Sequence, residues 1–155
     1  MYHRILVTLD GSMLAEQVLP HVRAVAEGHS NVQIYLLSVA QVVDYETASA
    51  MAYPMSMLPG RTVDDDAERR RIETELLDYL RGVAHQLARE GVTVSSEVRF
   101  GRPADEIIAF ANAQQVDLIA MSTHGRSGLA RWAYGSVADR VLRGAHCPVL
   151  LVRAK

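Results

Sequence analysis

The sequence predicts one doubly wound α/β domain over residues 1–155, a five-stranded parallel sheet with helices on both faces. Three observations carry that class. Short apolar runs alternate with stretches of helical periodicity, five against four, the order that builds a parallel sheet with crossover helices. Most of the strand segments are continuously apolar, as strands covered on both faces are. The chain has 155 residues, 49% hydrophobic and 22% charged, with a net charge of −2, which suits a single self-sufficient core.

Ile5-Leu6-Val7 reads as a buried strand that Asp10-Gly11-Ser12 stops. Leu14, Val18, Val22 and Val25 recur at helical spacing, so a helix follows and Gly28 ends it. Pro20 falls inside that helix and should kink it, because its ring clashes with the carbonyl of Glu16. Asn31 to Val39 gives the second strand. Ala40 to Asp66 holds Pro54, Pro59 and Gly60 without sustained periodicity, and a loop of that length in a small domain is usually functional or mobile. Within it, Met51 to Pro59 reads as a lid packing on its own domain or as an adaptable contact surface. Asp64, Asp65 and Asp66 favour a helix start, which Ile72, Leu76, Leu80, Val83 and Leu87 continue to Gly91. Arg69, Arg70 and Arg71 read as a solvated turn of it, paired with Asp65, Glu73 and Glu75.

Val92-Thr93-Val94 alternates before Val98, as a half-exposed edge strand does. Pro103 opens the third helix, with Ile107, Ile108 and Ala111 inward. Val116 to Met121 is the fourth strand, Ser136 caps a short helix through Leu142, and Val149 to Val152 is the fifth strand.

Several classes are excluded by counting. The near-neutral charge argues against a nucleic-acid binder, which usually carries a basic stripe. Cys147 is the single cysteine, so no disulfide framework or multi-cysteine metal site is built; it reads as a small buried residue. No segment approaches the roughly 18 apolar residues of a membrane span, and the opening MYHRILVTLDGS is not a signal peptide, so the expected location is the cytoplasm. The only lysine is Lys155, which excludes a phosphate loop of the Gly-Lys-Ser/Thr kind. A bound nucleotide must therefore be held by amides, hydroxyls and arginine.

In doubly wound sheets ligands bind beyond the carboxyl ends of the strands, where strand order reverses. That points to Thr8 to Ser12, Val39 to Gln41, and Ser122 to Ser136. The last segment carries Gly125, Gly128 and Gly135, Arg126 and Arg131, several hydroxyls and a helix start, a combination that suits a phosphate. A plain strand-to-helix connection reads the same way. Likewise Asp10 can bind a ligand or cap the first helix.

Ser122-Thr123-His124-Gly125, nine residues, then Gly135-Ser136 resembles the ATP-binding signature of the universal stress protein family: Gly, two residues, Gly, nine residues, Gly, then Ser or Thr. Arg4 to Val7 with Asp10-Gly11-Ser12, Gly101 to Ala104, Val116 to Ile119 and Cys147 to Leu150 agree in order and spacing, so the resemblance spans the chain. It departs at Ser122, where the signature has glycine. Serine keeps the amide and adds a hydroxyl, and would be disfavoured only by a positive φ.

The resemblance implies a Rossmann-like fold of the adenine nucleotide alpha hydrolase kind. It further implies that the chain binds ATP, ADP or AMP, with or without Mg, as a nucleotide-responsive stress or signalling module. On this pattern Asp10 lies by adenine or ribose, Thr8 and Val39 sit at adenine, Val39 through its backbone, and Met121 gives an apolar contact. Ser122, Gly125 and Arg126 hold ribose and phosphates, while Gly135, Ser136 and Val137 present amides and a hydroxyl to the phosphates. His124 reads as a loop residue near the nucleotide, since no other histidine forms a spaced pair with it. No catalytic or metal residues are assigned. Ser136 or Ser127 could accept a phosphoryl group, but no general base is evident, so hydrolysis or autophosphorylation is slow at most. The resemblance also implies a homodimer through the last strand, whose Val-Leu-Leu-Val edge needs cover, and protein partners of unknown identity. The alternative is a nucleotide-free dimeric interaction module of the same family. An ATP-cleaving enzyme of the adenylating folds is disfavoured, because Leu9-Asp10-Gly11-Ser12 has one glycine where those have more.

Overall fold

The computed structural model describes residues 1–41, 66–89, 91–124 and 135–154. The Met51 to Pro59 stretch, Asp64, Asp65 and the segment holding Gly125, Arg126, Ser127 and Gly128 lie outside them.

The strands are β1 (Arg4–Thr8), β2 (Val32–Ala40), β3 (Val92–Phe100), β4 (Leu118–His124) and β5 (Val149–Ala154). They form one sheet in the order β3-β2-β1-β4-β5, and every pairing is parallel. The helices are α1 (Leu19–Ala26), α2 (Asp66–Leu87), α3 (Pro103–Ala113) and α4 (Ser136–Gly144). Side chains alternate across the sheet with period two. Ile5, Val7, Ile34, Leu36 and Ala120 pack on one face with Val22 of α1 and Leu80 and Val83 of α2. Leu6, Leu37, Ile119 and Met121 pack on the other with Ile107 and Phe110 of α3 and Val141 of α4. Both faces are thus covered, which is why the middle of β1, the middle of β2 and the start of β4 run apolar without a break. β3, at the edge, alternates partly buried and exposed residues over its first four positions, as the sequence suggests.

The first helix departs from the expectation. A 3₁₀ turn, Ala15–Val18, precedes α1, and Pro20 stands in the first turn of α1 instead of kinking a longer helix. Proline has no N–H for the carbonyl of Glu16; Leu19 N–H takes that carbonyl in an i→i−3 bond, and the missing donor at position 20 costs nothing in a first turn. Leu14 consequently leaves the apolar face and is 37% exposed. Gly28 adopts a φ of +74° after α1, a conformation glycine accepts without penalty.

Two details of α2 and α4 also differ. Arg71 pairs with Glu68 and Glu75, not Glu73, and Arg69 lies over the Phe100 ring, 4.6 Å from its centre. Ser136 is the first residue of α4 and not its cap. Gly135 occupies the cap position, and no described side chain caps the helix. Cys147 is half-buried beside the α3–α4 core, where burial, with Asp117 nearby, pushes its thiol pKa up.

Candidate functional site

The chain leaves β1 toward β2 on one side, then returns after α3 to place β4 on the other. The strand order therefore reverses between β1 and β4. β1 ends at Thr8 while β2 and β4 run on, and their overhang opens a cleft of about 380 Å³. That volume falls within the range of small-molecule pockets, roughly 300–1,000 Å³.

The structure brings most of the sequence-predicted residues together. Thr8 and Asp10 line the cleft at the end of β1, Val39 at the end of β2, Met121 and Ser122 on β4, and Gly135, Ser136 and Val137 at the start of α4. Gly125 and Arg126 lie outside the described residues, as does the side chain of His124. The remaining walls are Leu37, Gln41, Pro103, Ile107, Thr123 and Ala138, with Leu9 and Ala15 at the β1 side. Leu37 and Thr123 stand two residues from Val39 and Met121, so strand periodicity alone marks them. Pro103 and Ile107 carry no such signal: they reach the cleft only because α3 packs over the end of β2.

Each wall has a distinct chemistry. At α4 the first amide groups have no partner within the helix, and among the described residues no side chain caps them. Free amides at a helix N-terminus suit an anion. Nothing in the described fold demands Gly135. Its φ is −46°, and an added Cβ would meet no described atom within 4 Å. A side chain there would instead compete with whatever approaches the amides.

The β2 wall offers a donor and an acceptor side by side. Leu9 N–H donates to the Leu37 carbonyl (2.9 Å), and Gly101 N–H donates to the Ala40 carbonyl (3.0 Å). Backbone groups of successive β2 residues alternate between neighbours, so Val39 presents its N–H and C=O on the β1 side, past the end of β1. Among the described residues no backbone group pairs with either. The apolar side chains of Leu37, Val39, Ile107 and Met121 flank that edge. A planar heterocycle with a donor next to an acceptor fits it.

Between these walls stands the Asp10 loop. Asp10 Oδ1 accepts from Ser12 N–H (2.9 Å), closing a turn in which Gly11 has a φ of +84°. Ser12 Oγ in turn accepts from the N–H of Ala15, the first residue of the 3₁₀ turn (3.1 Å). Asp10 is the one carboxylate among the described lining residues. Ser122 sits on β4 with no positive φ, and its Oγ donates to the Ala15 carbonyl (3.2 Å). The backbone at this position is one that serine adopts without strain. Among the described residues no three His, Cys, Asp or Glu side chains gather where a metal ion could sit, and no helix is long and apolar enough to cross a membrane.

Comparison with known proteins agrees with this architecture. The model of the universal stress protein family matches residues 1–153. The universal stress protein MJ0531 of Methanocaldococcus jannaschii is 30% identical over 99% of this chain and 83% of its own. The solved structure of MJ0577, from the same organism, superposes with a TM-score of 0.77 at 26% identity, covering 100% of this chain and 98% of that one. More distant structures share the fold at a TM-score of 0.60. They include a universal stress protein in complex with cAMP, 18% identical over 99% of this chain and 98% of that one. An Arabidopsis thaliana family protein with AMP bound is 17% identical, over 99% of this chain and 92% of its own. With the family model matched over residues 1–153 and the doubly wound sheet shared by its solved members, the chain belongs to the universal stress protein family.

Proposed function

We propose that the protein binds ATP, or its products ADP and AMP, in the switch-point cleft. It then acts as a cytoplasmic, nucleotide-responsive stress or signalling module. One juxtaposition carries the reading: a single cleft has, on one wall, helix amides that no described side chain caps and, on the other, a strand N–H and C=O that no described backbone group pairs. Phosphates suit the first and an adenine edge the second. The family's nucleotide-bound members lend it support. On this reading Thr8, Val39 and Met121 serve the base, Asp10 and Ser122 the ribose side, and Gly135, Ser136 and Val137 the phosphates. Gly125 and Arg126 complete the phosphate end. Any Mg would be carried chiefly by the phosphates and water, because Asp10 is the one described carboxylate at hand. Turnover is slow at most, since Asp10 already holds the turn through Ser12 and no other described lining residue can serve as a strong base.

Thermal melting of nucleotide-free protein with Mg-ATP, with GTP as control and a Gly135→Val variant beside it, tests this. Ligand at about 100 times its dissociation constant adds about 2.7 kcal/mol, a rise of roughly 5–10 °C for this size. An added Cβ at position 135 meets no described atom, so Gly135→Val should melt like the parent without ligand and lose the rise with it. No rise with any nucleotide overturns the reading and leaves a nucleotide-free interaction module.

The same proposal makes the protein a homodimer through β5. β5 is an edge strand with Val149, Leu150, Leu151 and Val152 all partly exposed, a surface that stays soluble when paired. Leu150→Lys should shift the protein to monomer by size-exclusion chromatography. A fully dimeric variant rejects that interface.

A further inference from the structure

The loop from Leu9 to Ala15 fills the gap at the switch point, and a hydroxyl grips it at each end. From β2, Ser38 Oγ donates to the Leu9 carbonyl at 2.7 Å, with Ser38 itself 1% exposed. From β4, Ser122 Oγ donates to the Ala15 carbonyl at 3.2 Å. β2 and β4 are the strands on either side of β1, so the two bonds span the crevice. Between them the loop is closed by Asp10 and Ser12.

The bond from Ser38 has a second effect. Continued by one step, the parallel ladder would send Val39 N–H to the Leu9 carbonyl. The Ser38 hydroxyl takes that carbonyl instead, and no described backbone group takes the N–H of Val39. A side chain has thus replaced a ladder bond at the point where the cleft needs a free donor. At Ser122 the bond is one a glycine could not make.

We propose that Ser38 and Ser122 are positioning residues. Their hydroxyls hold the Asp10 loop in its binding shape and keep the Val39 edge open, and so set affinity for the nucleoside end of the ligand. This rests on the nucleotide reading above. It makes serine at 122 a working part of the site. The α4 amides, which neither bond touches, are indifferent to both.

Isothermal titration of ATP, adenosine and inorganic tripolyphosphate distinguishes the ends of the site. The variants are Ser38→Ala, Ser122→Ala and Ser122→Thr, each held well below its melting point. Loss of one hydroxyl bond should weaken ATP and adenosine about 3- to 10-fold. Tripolyphosphate should bind every variant as it binds the parent, and Ser122→Thr should restore adenosine binding. Alanine variants that bind adenosine like the parent overturn the proposal. So does an equal loss for adenosine and tripolyphosphate, which marks general loosening. A parent protein that binds neither ATP nor adenosine removes the nucleotide reading itself, and this inference with it.

Discussion

Asp117 tests whether the two ends of the sheet do separate work. It precedes β4, and its carboxylate accepts the N–H of His3 through Oδ2 (2.8 Å) and of Arg4 through Oδ1 (3.0 Å). Its own N–H donates to the Arg4 carbonyl (2.9 Å). Both carboxylate oxygens therefore seat the start of β1 against β4. Hydrogen bonds to a charged group contribute about 1.5–3 kcal/mol each. These two lie near the surface, where water can replace the acceptor, so the low end applies: about 2–3 kcal/mol for Asp117→Ala. Asp117→Asn keeps one acceptor and turns an amide donor toward the other N–H, so about 1–1.5 kcal/mol is lost. At about 2–4 °C per kcal/mol for this size, the melting point falls by roughly 4–12 °C for alanine and 2–6 °C for asparagine. Urea unfolding should show a lower midpoint with an unchanged slope. Ser122 lies five positions beyond Asp117, about 16 Å along the strand, so ATP affinity should not move. An asparagine variant as stable as the parent would refute the two-acceptor account. A variant that keeps its stability but loses ATP would refute the division between the ends.

Two further outcomes follow from local geometry. Gly101 has a φ of +149°, and an added Cβ would lie 3.0 Å from Glu106 Oε1 and 3.1 Å from its Cγ, so Gly101→Ala should cost about 1–3 kcal/mol in urea unfolding. The Tyr79 hydroxyl is buried with no hydrogen-bond partner in good geometry among the described residues, and burial, with Glu16 and Asp10 near, raises its pKa well above the ordinary phenol value. The unfolded chain then loses this proton first as pH passes about 10, so stability falls with rising pH from there. Tyr79→Phe should flatten that fall and leave stability at pH 7 within about 0.5 kcal/mol of the parent; an unchanged alkaline profile contradicts it.

Much of the fold was legible because burial on both sides writes itself into composition. Ile5 to Val7, Ile34 to Leu37 and Leu118 to Met121 are apolar without a break since helices cover both their faces. β3 alternates because it lies at the edge. The error at the first helix has a simple cause: Leu14, Val18, Val22 and Val25 keep helical spacing across a turn that Pro20 compels to be 3₁₀. Spacing places residues on one side only while the same hydrogen-bond pattern joins them, and the 3₁₀ turn drops Leu14 from that side. The site divides in the same way. Residues in register with a motif, such as Leu37 beside Val39, follow from strand period. Pro103 and Ile107 come from another helix, and the Ser122 bond joins residues 107 positions apart. Such pairings depend on three-dimensional closure, which no local pattern encodes.

Two glycines at the cleft show how far a fold can explain its own residues. Gly11 has a φ of +84°, so the turn that presents Asp10 requires it whether or not anything binds. Gly135 has an ordinary φ, and a Cβ there would meet no described atom, so neither the backbone nor the described packing calls for it. As a helix cap glycine is no better than serine or aspartate, either of which would satisfy an amide that no described side chain caps here. A bare amide and an absent side chain at the same position both disfavour the isolated protein slightly and both favour close approach by an anion. On the proposed reading the ligand, not the fold, is the economical reason for glycine at 135. An aspartate cap at 135 should accordingly stabilise the free protein and abolish its response to ATP. Stabilisation with the ATP response intact would mean that the phosphates lie elsewhere.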